Sequence, residues 1–435
     1  TLSNSGTLTV NGGTLNVNGN MVHNAASTFN QSGGDINVDG NDNGAAANSV
    51  ASGVSIVQLN SQNINWTGGT LTIVDPHANT TASNSFAYNN STAHVNVTSG
   101  HTIRFGDGVS TQPGGNATNG FRMDTWTGSN RISFFNVVIN GGVGTNRYVT
   151  SRFSFGINGD LTINTDGEFR PGTIVYVNGN INNGGTATLT STLVLSSFLN
   201  GTQSGSTNAQ TISGSGTFRN LAASPTANLT SLTVQNSNAT GVTLNVPLSV
   251  SSTLTLTEGF VNTTSTNILR LGTATLAGTL SGGSATAYIN GPFARTFPAS
   301  RTAVGTYTVA TLFPVGKTAS AEYLPIHIDP TTTAGGPVIF SGEAFTSNSG
   351  TGDSGVTGLS NNRWEALITS GAGNFTSTNL RLNDAAIVST NKILQASSAA
   401  GTYGSIIPVS TFAGGTPNTL TTTGTQILAA AYNGY

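Results

Sequence analysis

An all-β fold is predicted by three features of the chain. Apolar and polar residues alternate over short runs rich in Val, Ile, Leu and Thr, the two-residue period of a strand. A Val/Ile–Asn/Asp–Gly signature recurs after many of these runs, in places at spacings near twenty residues. Only 7% of the 435 residues are charged, against about 25% in an ordinary globular protein. That leaves too little Lys, Glu and Arg to cover exposed helix faces.

The first run of elements is the plainest. Gly6-Thr7-Leu8-Thr9-Val10 is echoed by Gly13-Thr14-Leu15-Asn16-Val17, Gly34-Asp35-Ile36-Asn37-Val38, Gly69-Thr70-Leu71-Thr72-Ile73 and Gly159-Asp160-Leu161-Thr162-Ile163. The glycine signature follows at Val17-Asn18-Gly19, Val38-Asp39-Gly40, Ile139-Asn140-Gly141, Ile157-Asn158-Gly159 and Val177-Asn178-Gly179. Its step is 21 residues from 17 to 38, 18 from 139 to 157 and 20 from 157 to 177. Strand, sharp corner and strand at that period predict an irregular β-solenoid, or parallel β-helix. Asn and Gly both accept left-handed backbone angles at a corner. Antiparallel hairpins are the competing arrangement, because Asn-Gly is also a strong hairpin turn. The solenoid is preferred because stacked repeats need few charged faces, and equivalent Asn amides can ladder from coil to coil. In this register Leu8, Val10, Leu15, Val17, Ile36, Val38, Leu71, Ile73, Leu161 and Ile163 point inward.

The stretch 63–155 departs from the plain repeat. It gathers aromatic residues and five of the chain's twelve arginines, and looped insertions are expected around 80–155. From 211 to 284 the plain repeat resumes. After about residue 285 prolines become frequent, and eight or nine strands are expected over 286–297, 305–313, 321–328, 336–346, 362–368, 374–382, 392–396, 402–408 and 422–431. That spacing predicts a β-sandwich with Trp364 in its core. The expected domains are thus a solenoid over 1–285 and a sandwich over 286–435.

Composition excludes several functions. A net charge of −2 with two lysines cannot supply the basic surface that nucleic acid requires. No run approaches the ~18 apolar residues of a membrane span. Zero cysteines remove disulfides and thiolate chemistry. With the Asn/Thr/Ser/Gly bias, this suits an exported chain; the start at Thr1, with no basic–apolar leader, reads as a mature segment.

The elements Gly291-Pro292-Phe293-Ala294-Arg295-Thr296-Phe297, Phe313-Pro314-Val315-Gly316 and Tyr323-Leu324-Pro325-Ile326, preceded by Asn-Gly repeats, resemble secreted β-strand-repeat surface proteins of Bacteroidota-type bacteria. The resemblance covers residues 211–435 well and the N-terminal half loosely. It implies an adhesin or fibre protein with β-solenoid repeats and a C-terminal immunoglobulin-like sandwich, and no particular chemistry.

Candidate sites are few. Asp35, Asn37 and Asp39, with Gly40 and nearby Asp42, match the first half of a calcium loop. However, Ala46 stands where the bidentate Glu belongs, and an exposed strand face also explains the alternation. Asp160, Asp166 and Glu168 are the densest acidic group, and a carbohydrate-cleaving solenoid needs paired carboxylates. Asp160 replaces a corner Asn, and Asp166-Gly167-Glu168 reads as a turn. With so few titratable groups, catalysis is not expected and no cofactor beyond calcium is. Arg104, Phe105, Phe121, Arg122, Trp126, Arg131, Arg147 and Tyr148 are candidates for a protein interface or for stacking on glycans. The alternative is that these aromatics fill a widened core.

The expected function is a non-enzymatic extracellular structural protein, a subunit of a bacterial surface fibre or biofilm-matrix filament whose partners are copies of itself. An adhesin that binds surface glycans, monomeric or at a fibre tip, is the alternative. Head-to-tail assembly is expected because the repeat begins with Leu8 and Val10 in register and nothing ahead of them to cap the sheet. The expected cover is the apolar segment 426–432 of the next subunit, including Ile427, Leu428 and Tyr432.

Overall fold

A computed structural model describes residues 1–39, 54–77, 83–90, 92–109, 120–127, 130–141, 148–220, 229–405, 410–422 and 434–435. These residues are nearly all β. Their only helical elements are two single 3-10 turns, Thr318–Ser320 and Ala372–Asn374. Two compact units are present, Thr1–Asn238 and Ala239–Tyr435.

The first unit is built from parallel ladders. One runs through nine strands, from Leu2–Asn4, Met21–His23 and Val57–Leu59 to Thr186–Thr188 and Thr217–Arg219. A second passes through Thr7–Asn18, Thr28–Asp39, Asn63–Ile73, Thr102–Phe105, Asn136–Ile139, Leu161–Ile163, Ile181–Asn183 and Gln210–Ser213. A third joins Phe155–Ile157, Val175–Val177, Thr192–Leu195 and Leu229–Gln235. The repeat copies therefore pair in parallel, not as antiparallel hairpins.

Parallel register explains the core. Leu15, Ile36, Leu71, Ile103, Val137, Leu161, Ile181 and Ile212 are successive partners along the second ladder. Because side chains alternate sides along a strand, one inward position per strand becomes one apolar column. All of these except Leu15 are buried, and each such side chain contributes roughly 1.5–3 kcal/mol. Val10, Val17, Val38, Ile73 and Ile163 are buried as expected. Leu8 and Leu15 are only half-buried, since among the described residues their strand is paired along one edge alone.

Two expectations need correction. The step from 17 to 38 and that from 157 to 177 are true ladder partners. Ile139, however, pairs with Ile163, while Ile157 lies in the third ladder. The corner glycines also differ from expectation. Gly19 and Gly291 have positive φ, but Gly141, Gly159 and Gly179 do not. What excludes a side chain there is the backbone of the adjacent turn: a Cβ on Gly179 would lie 2.4 Å from the Gly159 carbonyl oxygen. The region 63–155 continues the second ladder without a break in order, with longer connections between its strands.

The second unit begins with the same parallel pairing. Val242–Leu244, the end of Leu248–Asn262, Ala287–Asn290 and Val315–Lys317 form one ladder; the start of Leu248–Asn262, Leu269–Leu271 and Phe293–Phe297 form another. Phe293–Phe297 is parallel to Leu269–Leu271 on one edge and antiparallel to Val338–Phe345 on the other. Beyond it the pairing is mostly antiparallel: Val338–Phe345 with Arg363–Ser370, and a five-stranded sheet of Leu312–Phe313, Ile326–Thr332, Phe375–Asn383, Thr419–Thr422 and Ser410–Ala413. Trp364 is buried and its indole donates to the Leu324 carbonyl at 2.9 Å. The strand expected over 305–313 is reduced to Leu312–Phe313. Side chains take its place: Arg295 donates to the Val309 and Leu312 carbonyls, and Asp329 accepts from the backbone of Val304 and Gly305. The expected strand 422–431 lies, beyond Thr422, outside the described residues.

Candidate functional site

The aromatics between 105 and 155 are mostly core. Phe105 and Phe121 are buried and meet edge to face at 5.8 Å between centroids. Phe86, Phe134, Phe155 and Phe169 form a second run of edge-on contacts at 5.3, 6.0 and 6.3 Å. Edge-to-face contact is one of the favoured arrangements of aromatic rings. Phe105 and Phe121 are thus unavailable to a glycan, which corrects their assignment to a surface. Arg104, Arg122 and Arg131 are half-buried. Trp126 lies in Trp126–Thr127, paired antiparallel with Asn130–Ser133. Tyr148 is half-buried under the Arg170 guanidinium, 4.2 Å away. Arg147 lies outside the described residues. The described members of the set are spread over several ladders.

Glu168 is fully committed. Its carboxylate accepts from Arg170 at 2.5 Å, from Arg219 at 2.6 Å and from Thr188. Burial pulls its pKa upward, but the hydrogen bonds from Arg170, Thr188 and Arg219 win and hold it at about 2. A carboxylate so held cannot deliver a proton near neutral pH. Asp160 has the corner role its sequence position suggested: Asn136 Oδ1 accepts from its backbone N–H, and its own Oδ1 accepts from the Asn180 backbone and amide.

The calcium half-motif does not converge. Asp35 is exposed, Asn37 donates its amide to Asn16 at 2.9 Å, and Asp39 is buried. Alternate residues of an extended strand point the same way in parallel, whereas calcium needs six to eight oxygens gathered around one point. Asp42 lies outside the described residues. Among the described residues no group of three or more His, Asp or Glu side chains is placed to hold a metal. Of the assembly candidates, Leu8 and Val10 lie on the strand whose outer edge has no partner among the described residues; Ile427, Leu428 and Tyr432 are outside them.

A groove that the sequence did not point to lies on the first unit. It has a volume of about 680 Å³. Its floor is the Asn158-Gly159-Asp160 corner stacked on Asn178-Gly179-Asn180; one wall is Thr207-Asn208-Ala209 and the other Ser197 and Leu199. Gly179 donates its N–H to the Gly159 carbonyl at 3.0 Å, so the floor is backbone in direct contact. The second wall comes from a hairpin, Ser197–Leu199 with Thr202–Ser204, that folds back over the third ladder. Phe198 stacks on Tyr176 at 4.1 Å and Arg131 covers its ring at 5.3 Å. Asn200 and Asn96 exchange two hydrogen bonds at 2.7 and 3.0 Å that tie the hairpin down. The signal was present as the repeated Asn-Gly-Asp/Asn at 158–160 and 178–180, legible as a corner but not as one side of a groove.

No helix among the described residues is long and apolar enough to cross a membrane. The chain matches no protein-family model, and no curated protein or solved structure is similar to it.

Proposed function

We propose that the chain is a non-enzymatic extracellular structural protein of a bacterial surface: a β-solenoid followed by an immunoglobulin-like sandwich, assembling head to tail into a filament, as the resemblance to β-strand-repeat surface proteins implies. The observation that carries this reading is the strand Thr7–Asn18. It pairs with Thr28–Asp39 on one side; along its other edge no strand is paired among the described residues, and Leu8 and Leu15 are half-buried there. An edge of that length templates pairing with another chain. A contact between two unlike surfaces does not close on itself and propagates. The polar side chains support a scaffolding role, because they are engaged with the next coil: Asn37 with Asn16, Asn65 with Asn30, Asn290 with Asn262.

Electron microscopy and sedimentation of the purified chain across a concentration series test this. Filaments that persist from low to high salt are expected, since an apolar, backbone-paired joint has little for ions to screen. A chain that stays monomeric at high concentration, or residues upstream of Thr1 that pair with this edge in a longer chain, overturns it. The groove favours a second reading, a glycan-binding adhesin.

A further inference from the structure

We infer that the groove between the 197–204 hairpin and the stacked 158–160 and 178–180 corners binds a neutral oligosaccharide. The inference deepens the adhesin reading and is independent of polymerisation, because the groove lies within one compact unit.

The lining decides the ligand class by elimination. Among the described residues it contains no Lys, Arg or His and one carboxylate, Asp160, so they offer no cation to recognise a phosphate, sulfate or uronate. One carboxylate is also too few for a divalent cation, which takes six or more oxygens. An extended peptide would need an unpaired strand edge. Leu161–Ile163 and Val175–Val177, the strands beside the floor, each have a parallel neighbour on both sides. Among the described residues this leaves as an edge only the three-residue strand Ser197–Leu199 of the hairpin, too short to template an extended peptide. The lining is about equally polar and apolar, so a wholly apolar ligand would leave its amides and hydroxyls without partners. What remains is a ligand rich in uncharged hydroxyls.

The groove offers such a ligand three kinds of contact. Asp160 is exposed, with one oxygen used by Asn180, and Asn208 is exposed, with its amide N–H used on the Asn178 carbonyl. Phe135, half-buried at the margin, and exposed Leu199 give an apolar surface for the C–H face of a pyranose ring. The floor repeats from one coil to the next at the strand spacing of about 4.8 Å, comparable with the length of one sugar unit, so successive coils can meet successive sugars. The floor is preorganised, since its amides are already fixed by the ladder from Asn136 through Asp160 and Asn180 to Thr211, and binding would order little.

The test is isothermal titration with cellohexaose, laminarihexaose, mannohexaose and chitohexaose, with hexagalacturonate as the acidic comparator. At least one neutral hexamer is expected to bind, and hexagalacturonate not to bind. Ala209→Trp, an exposed substitution that fills the groove, is expected to weaken binding at least tenfold while leaving the melting temperature unchanged. Phe135→Leu, which removes the ring but keeps an apolar side chain, is expected to weaken it less. No binding by any neutral hexamer, binding that Ala209→Trp leaves unchanged, or preference for the acidic comparator overturns the inference. Filament formation by the same samples, scored by microscopy, reports separately on the assembly proposal.

Discussion

The first unit and the antiparallel part of the second both hold polar groups within a β protein, and the first has one means of doing so that antiparallel pairing does not provide. In the first unit like meets like. Parallel strands in register place equivalent residues side by side, and Asn, donor and acceptor at once, bonds its own copy on the next coil, as Asn37 does with Asn16 and Asn65 with Asn30. A column of Asp or Lys in that position would repel itself. Ion pairs occur in both units: Arg170 and Arg219 with Glu168 and Arg152 with Asp124 in the first, Arg301 with Asp329 at 2.5 Å, Lys317 with Glu343 at 2.7 Å and Arg363 with Glu365 at 2.7 Å in the second. What parallel register adds is the pairing of an amide with its own copy on the next strand, which a charged side chain could not make.

Core truncation should give the largest effects on either side of this comparison. Leu161→Ala in the first unit is expected to cost about 2–5 kcal/mol, and Trp364→Ala in the second about 3–5 kcal/mol, read by chemical denaturation. Equal costs with distinct transitions would mark two separately cooperative units. Next comes Arg301→Ala. Asp329 is fully buried beside it, and stranding a buried carboxylate costs about 3–5 kcal/mol. Arg152→Ala, whose partner Asp124 faces an arginine side chain 56% exposed, should cost under ~1 kcal/mol. If the two substitutions cost the same, burial is not what sets the worth of an ion pair in this chain.

A glycine pair sharpens the stacking argument. A Cβ on Gly33 would sit 2.5 Å from the Asn11 carbonyl oxygen, whereas one on Gly12 meets nothing within 4 Å. Gly33→Ala should therefore cost about 1–3 kcal/mol, and Gly12→Ala should be neutral or stabilising by about 0.4–1 kcal/mol. Under assembly conditions Gly12→Ala should instead inhibit polymerisation if another copy covers that edge.

Two carboxylates should titrate with opposite sign. Glu168 lies at about 2 in the folded chain, below its ordinary 4.5. Its contribution is present above pH 4.5 and lost as pH falls toward 2, and Glu168→Gln should flatten that acid limb. Asp75 is pushed up to about 7 by burial and by the charges of Asp39 and Asp107. Stability is therefore lost as pH rises from about 4 to 7, and Asp75→Asn should restore it above pH 7. Urea midpoints across pH 2–9 read both.

Much of this was legible from one sequence. The inward positions Ile36, Val38, Leu71, Ile73, Leu161 and Ile163 follow from a two-residue period, because strand geometry sends alternate residues to one face whatever lies next to it. The scarcity of charge, the all-β class and the corner role of Asp160 are equally local. The aromatic region was ambiguous: Phe105 on a strand is equally compatible with surface and core until the ring packed against it, Phe121, is known.

Tertiary structure alone decided the rest. Whether residue 139 stacks on 157 or 163 depends on how much chain each connection spends, and connections of unequal length hide that from a fixed period. The collapse of the strand expected at 305–313 depended on Arg295 and Asp329 reaching its backbone from other strands. The groove required a hairpin at 197–204 to lie against corners twenty to forty residues earlier. Periodicity is a property of neighbours along the chain, and sequence carries it directly. Juxtaposition depends on neighbours across space, where loop length and packing choose among partners that the alternation leaves equivalent.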